Sequence, residues 1–227
     1  MATYDSLVKE ILPYVPGCPD SLVINHLRAA TIETCEKSKA YVHDLDPLST
    51  VAGVFEYDFG QPTGTDVHQI LWMIHAGNDL DPISPRSLEL NFPDWRNRSS
   101  IPRVYLQKTP DIFWVIPVPA SSSTDAIRLS VALKPTRSSS SINTDFSTDY
   151  RDAIIYGTLY RLLRIPSKDW SDSAAANDYY LLFQGEIEDA ELRGRAGNLG
   201  VRRLTKYKGV GLTPRKRYKR YGTEIDY

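Results

Sequence analysis

No run of about 18 apolar residues occurs anywhere in the chain, so nothing in it reads as a membrane-spanning helix. Cysteine is scarce: Cys18 and Cys35 are the only two in 227 residues. That excludes a disulfide framework and a cysteine-built zinc site, and it fits two free thiols in a reducing compartment. Histidine is scarce too, and His26, His43, His68 and His75 include no pair at helical i, i+4 spacing. His68 and His75 stand seven apart on one predicted strand and so face opposite sides. No metal site and no cofactor are expected. The Gly-x-Ser-x-Gly turn of the α/β hydrolases and the Gly-x-x-x-x-Gly-Lys phosphate loop are both absent. The nearest glycine-rich piece, Gly209-Val-Gly211-Leu-Thr-Pro214, has proline where a dinucleotide fingerprint needs glycine. The opening MATYDSLVKEILPYV carries acids where a secretion signal needs a basic start and an unbroken apolar run, which argues against export. Without export, Asn97-Arg-Ser99 is no glycosylation acceptor.

Net charge is almost absent as well, at −1, but the balance hides a split. From Arg193 to Arg220 there are eleven basic residues and no acid, while residues 1–192 carry a net −10. An acidic body with a basic extension implies that the two meet different partners.

The first 45 residues or so read as helical. Asp5 or Ser6 can cap a short helix through Leu12, ended by Pro13 and Pro16-Gly17, and Asp20 or Ser21 can cap a longer one with Val23, Leu27, Ala30 and Thr34 on one face. The period then changes to that of strands. Val51, Phe55, Tyr57 and Phe59, then Val67–Ile74, Pro102–Gln107, Ile112–Pro117 and Ala126–Leu133, are separated by turn-forming clusters and predict an antiparallel meander. Pro85–Trp95 predicts a short helical excursion among them. After a serine-rich loop over Pro135–Phe146, Ser147 can cap a helix whose face is Ile155, Leu159, Leu162 and Leu163, stopping before Pro166. A last helix from about Ser173 carries the seam Ala176, Tyr180, Phe183, Ile187 and Ala190, and the pattern ends beyond Gly194. Segregated helices and strands give the α+β class. The expected architecture is a bundle of N- and C-terminal helices with a central antiparallel β-sheet or small sandwich. A body over 1–192 (helices in 5–45 and 147–192, strand block 49–134) would be followed by a basic extension over 193–227.

Three groups of acids could be imagined as acid and base or as cation ligands: Asp44/Asp46, Asp79/Asp81 and Glu186/Glu188/Asp189. The first two sit beside proline at element boundaries and the third on an outer helix face, so all read as solvated. No catalysis is expected. The extension is different. Tyr207, Tyr218 and Tyr221 interleave with Lys206, Lys208, Arg215, Lys216, Arg217, Lys219 and Arg220. That mixture suits a phosphate backbone with stackable bases, an acidic protein groove, or simply a solubilising tail.

In their order, several stretches resemble the head-to-tail adaptor, or tail tubular, proteins of short-tailed bacteriophages. They are Leu12-Pro-Tyr-Val-Pro-Gly-Cys-Pro-Asp20 with the helix Leu22–Lys39, then Ser130-Val-Ala-Leu-Lys-Pro-Thr136. Asp149-Tyr-Arg-Asp-Ala-Ile-Ile-Tyr-Gly157, Arg161-Leu-Leu-Arg-Ile-Pro166 with Trp170, and the last helix with Phe183 and Ala190 follow. The likeness covers residues 8–192. It implies a non-enzymatic virion component of the neck or tail, assembled in the host cytoplasm, with no membrane partner. Such a component forms a dodecameric ring beneath the portal protein, joins it to the tail nozzle protein, and lines the channel through which DNA leaves. On that expectation Arg215, Lys216, Arg217, Tyr218, Lys219 and Arg220, with Arg202 and Arg203 as the proximal part, bind the portal. The alternative is a nucleic-acid-binding protein whose extension grips DNA directly.

Overall fold

A computed structural model describes residues 2–196. In chain order the elements are β1 (Ala2–Thr3), α1 (Tyr4–Ile11), α2 (Asp20–Ser38), β2 (Val42–Asp44), β3 (Leu48–Thr50), β4 (Glu56–Asp58), β5 (Thr65–His75), β6 (Asn78–Asp79) and β7 (Asp81–Pro82). There follow α3 (Pro85–Asn91), β8 (Ser99–Ser100), β9 (Val104–Gln107), β10 (Ile112–Ile116), β11 (Val118–Pro119), β12 (Ser123–Pro135), β13 (Ser141–Ile142), α4 (Thr144–Asp149), α5 (Arg151–Leu163) and α6 (Ser173–Ala196). The class is α+β, as the segregated periodicities imply.

The helical half holds one core. α1, α2, α5 and α6 bury Leu7, Ile11, Val23, Leu27, Ile154, Leu159, Leu162 and Ala190 together. α2 puts hydroxyls into this core without leaving them unpaired, because Thr31, Thr34 and Ser38 each donate to the carbonyl four residues back, at 2.9, 2.8 and 2.6 Å. Small residues on that face let the helices approach closely, and Gly157 of α5 meets Phe183 of α6 and Ala30 of α2. The predicted seam of α6 is buried at Ala176, Phe183, Ile187 and Ala190, whereas Tyr180 stays 43% exposed at its margin beside Tyr160.

Helix ends differ in detail from expectation. Thr3 precedes α1, and Ser6 donates back to Thr3 O at 2.8 Å instead of capping. α2 ends at Ser38, with Lys39 in the left-handed region at φ 53°. The segment after Pro135 is partly ordered into β13, which pairs with β1, and Asn143, not Ser147, caps α4 by accepting from Phe146 N at 3.0 Å. Asparagine wins because it stands just ahead of the first helical turn, while Ser147 falls inside it. The last helix begins where Asp172 Oδ1 accepts from Ala174 N and Ala175 N, and it continues past Gly194 to Ala196.

The strands form two layers instead of a meander. One sheet runs β2–β12–β5–β6, with β3 also on β12, and the other runs β4–β10–β9–β7. The chain crosses between the layers after β3, β4, β6 and β10, so β5 pairs with β12 far along the sequence. Val67, Ile70, Met73, Ile127, Leu129, Val131 and Leu133 face Tyr105, Phe113 and Val115 between the layers. β7 also runs parallel to β9, which no meander contains. A third cluster, Leu88, Trp95, Leu106 and Ile116, lies under α3. The fold class survives this rearrangement because alternation fixes which face is buried, not which strand is the neighbour.

β5 departs from alternation, and the departure shapes its surface. Its partners on β12 skip one residue between Ile70 and Trp72 and another between Val67 and Gln69. Each skip is a bulge with Leu71 or His68 as the extra residue. Burial therefore falls at Val67, Ile70 and Met73, and Leu71 and Trp72 are both exposed, at 38% and 45%. His68 lies on the outer face near Glu36 and Lys134. His75 lies opposite Ile127 on the inner face, 7% exposed, with neither ring nitrogen bonded. The opposed placement of the two histidines is the expected one.

Burial lowers the pKa of His75, and burial also leads the lowering at His26 and His68. A histidine depressed in the folded state binds fewer protons than in the unfolded chain. The stability it contributes is present above the unfolded value near 6.5 and is lost as pH falls through the folded value. The denaturant midpoint should therefore drop between pH 7.5 and 5.5, and His75→Leu should flatten that slope. An unchanged slope in His75→Leu would move the effect to other groups.

Candidate interaction surfaces

Among the described residues no group of histidine, cysteine and carboxylate side chains could hold a metal. Cys18 and Cys35 are buried and free. Burial pushes the Cys35 thiol far up, so it offers no nucleophile. The paired acids do not converge: Asp44, Asp46, Asp79, Asp81, Glu188 and Asp189 are exposed and Glu186 is half-buried. The residues named from the sequence as partner-binding, Arg202, Arg203, Arg215, Lys216, Arg217, Tyr218, Lys219 and Arg220, lie outside the described residues.

Three surfaces stand out on the body. The first is a groove of about 550 Å³ over the outer side of α2, lined by Arg28, Lys37, Arg137 and Arg161 with Glu33 and Glu36. Glu33 is the centre of its network: it pairs with Arg161, accepts from Lys37 at 2.7 Å and from the Tyr160 hydroxyl at 3.3 Å. Burial alone would raise the Glu33 carboxyl, but the Lys37 hydrogen bond and the Arg161 charge outweigh it and hold the group below its usual range. Glu36 is taken by Lys134 at 2.7 Å. Arg28 donates to Ser139 O at 2.8 Å, and neither Arg28 nor Arg137 joins an ion pair among the described residues. On an acidic body this groove is a cationic exception, suited to carboxylate or phosphate groups.

The second surface is the outer face of α6. Leu181, Leu182 and Leu192 are 69%, 50% and 64% exposed, and Leu181, Gly185, Glu188 and Leu192 follow one another at 4-3-4 spacing. That is a second helical stripe, opposite the buried seam, flanked by Asp178 and Asp189. The third is a cleft of about 440 Å³ between β5 and the β7–β9 edge, lined by Ile70, Leu71, Trp72, Leu80, Ile83 and Leu106 among others.

None of these three was singled out from the sequence. Leu181-Leu182 beside the seam, and Leu71-Trp72 in a strand that should alternate, were signals that the dominant period concealed. The groove had none, because Arg137 and Arg161 come to Arg28 only through the packing of α5 and the β13 loop on α2.

With this geometry in hand, comparison with known proteins gives one positive result: residues 2–204 match the model of the family described as SU10 adaptor protein. No curated protein matches the sequence.

Proposed function

The chain belongs to the SU10 adaptor protein family, and from that premise we propose that it is a structural protein of the phage neck. In this reading copies of it form a ring that joins the portal to the tail and surrounds the DNA exit channel. The observation that carries the reading is the family match together with the charge split between body and extension. A ring of bodies each at a net −10 presents like charge to DNA, so that phosphates find few attractive contacts and the duplex slides. The extension over 193–227 then fastens the ring to the portal. Arg215, Lys216, Arg217, Tyr218, Lys219 and Arg220, with Arg202 and Arg203, pair there with carboxylates while tyrosine supplies contact area.

A cyclic ring needs two different and complementary patches on each subunit. The α6 outer face, apolar with acids at Asp178, Glu188 and Asp189, and the cationic groove with Arg28, Arg137 and Arg161 supply such a pair. This reading has no catalytic step.

The test is the native mass of the protein mixed with the portal of the same phage, at physiological salt, with DNA in a parallel sample. One copy bound per portal subunit is the expected result, and deletion of residues 201–227 should abolish binding while the body stays folded. An intact complex after the deletion would remove the extension from the interface. The eleven basic residues also favour a second reading, direct DNA binding. It requires affinity lost with the extension and falling by about one log unit per log unit of salt for each phosphate contacted.

A further inference from the structure

The larger sheet ends in two open edges, and the two match one another. In the order β2–β12–β5–β6, β2 has a strand on one side only, among the described residues. At the other end β6 meets β5 only at Ile74 and His75, so among the described residues Gln69–Trp72 has no strand beside it in its sheet on that side. The stretch is bracketed by carbonyls already in use: Val67 O accepts from the Gln107 side chain at 3.0 Å, and Met73 O accepts from Leu80 N at 2.9 Å. Folded proteins guard an open edge with charge, proline or a covering element. Gln69–Trp72 carries neither charge nor proline, and it exposes Leu71 and Trp72. β2 is equally bare, with Val42, His43 and Asp44 all exposed.

The two edges also stand at one height and run in one direction. Val42 lies opposite Ala132 and Ala132 opposite Gln69, while Asp44 lies opposite Ser130 and Ser130 opposite Trp72. Within one chain β2 is therefore level with the open stretch of β5, two strand spacings or about 10 Å away. Both strands are antiparallel to β12 and so parallel to each other. Rotation about a ring axis that follows the strands preserves height and direction. It carries β2 of one copy to the level of Gln69–Trp72 on the next, parallel to β5, with no shift of register. The faces agree as well. Residues opposite one another share a face, so Val42 goes with Gln69 on the outer face, and His43 goes with Val131 and Ile70 on the inner face. On docking, Val42 would pack beside the exposed Trp72, and His43 would enter the cleft of about 440 Å³ that Asp79 helps to line. Pairing β5 with a second β5 would instead need a two-fold axis, which closes a dimer and leaves no ring.

We propose that β2 of one copy adds to the free edge of β5 in the next, so that the sheet continues from subunit to subunit. The proposal rests on the ring reading and adds a strand contact to the helical patches already described.

Paired cysteines in the full chain test it. Val42→Cys and Gln69→Cys cannot join within one copy, since about 10 Å separates them and a disulfide spans Cα atoms less than about 7 Å apart. Both positions are exposed, so the body should tolerate the changes, and the native Cys18 and Cys35 are buried. The double variant is mixed with the portal of the same phage, its native mass is taken, and the sample is oxidised and run on a non-reducing gel. A ladder of dimers, trimers and larger species is expected, because each chain carries two different sites, whereas either single variant should give nothing beyond a dimer. Asp44→Cys/Trp72→Cys, two levels along the same edges, should give the same ladder. A ring of full mass without a ladder in either pair would overturn the strand contact and leave the adaptor reading standing. Double variants that stop at dimers would overturn it as well, since a two-fold contact gives that product. No ring on the portal, in the wild type too, would remove both readings.

Discussion

Gly157→Leu is expected to unfold the helical half of the body. A Cβ at this position would stand 2.7 Å from Phe183 Cε2, 3.0 Å from Phe183 Cδ2 and 3.1 Å from Ala30 Cβ. Real side chains do not tolerate the first distance, so something must shift. Phe183 cannot yield easily: it is fully buried and packs on the Tyr160 ring at 5.6 Å. Ala30 is equally buried on α2, so the contact closes three helices at once. Overpacking costs about 1–3 kcal/mol for small additions. Gly157→Ala already brings that Cβ, and its gain of about 1 kcal/mol in helix propensity offsets only part of the cost, which makes it the lesser of the two defects. Gly157→Leu has no such offset for its three further carbons and should lose about 3 kcal/mol or more, against a total of about 5–15 kcal/mol for a domain. Phe183→Ala, which opens a cavity at the same point, should cost about 3–5 kcal/mol. The two defects are of opposite sign in volume, so Gly157→Ala combined with Phe183→Leu should be less harmful than their separate costs added. Urea midpoints measure all of this, and a wild-type midpoint in Gly157→Leu would mean that α5 and α6 are not spaced by this contact.

Gly157 also shows where the sequence was legible. The apolar periods of α2 and α6 were visible in Val23, Leu27 and Ala30 and in Phe183, Ile187 and Ala190, because a helix that packs on one side repeats its burial every three or four residues. In α5 the register slipped. Ile154 is fully buried and Ile155 only partly, since the helix is covered from more than one side and Gly157 and Thr158 belong to its buried face. Strand existence was legible and strand neighbours were not. The pairing of β5 with β12, some sixty residues apart, depends on which of several alternating segments meet, and alternation is the same for all of them. The bulges at His68 and Leu71 could not be placed for a related reason: adjacent apolar residues such as Leu71-Trp72 mark a break in alternation, but which residue is the extra one depends on the register with the partner strand. For the interaction surfaces, the charge split was plain because it is a linear property. The groove joins Arg28, Arg137 and Arg161 through tertiary contact, so no linear reading could assemble it. The family was legible from the order of short stretches, and the match over residues 2–204 covers the whole body in which they lie.

Replacing Leu181 and Leu192 together by glutamate should leave the body as stable as before and abolish the ring that the proposed function calls for. The two leucines lie on the solvent side of the same helix whose inner side holds Phe183, and they are 69% and 64% exposed. Exposed positions away from structural features change stability by about 0.5 kcal/mol or less, so the urea midpoint should hardly move. In a ring, each leucine covered by a neighbour contributes about 1.5–3 kcal/mol, and the contribution repeats at every interface of the closed assembly. A glutamate in the same place would be desolvated beside Glu188 and Asp189, where like charges already stand. Loss of assembly with an unchanged midpoint would identify the α6 outer face as the subunit contact. A ring of wild-type mass would move the contact elsewhere on the body while leaving the adaptor reading in place. A lowered midpoint would mean that Leu181 and Leu192 are covered by the rest of their own chain, and residues beyond Ala196 would then be the first segment to test as that cover.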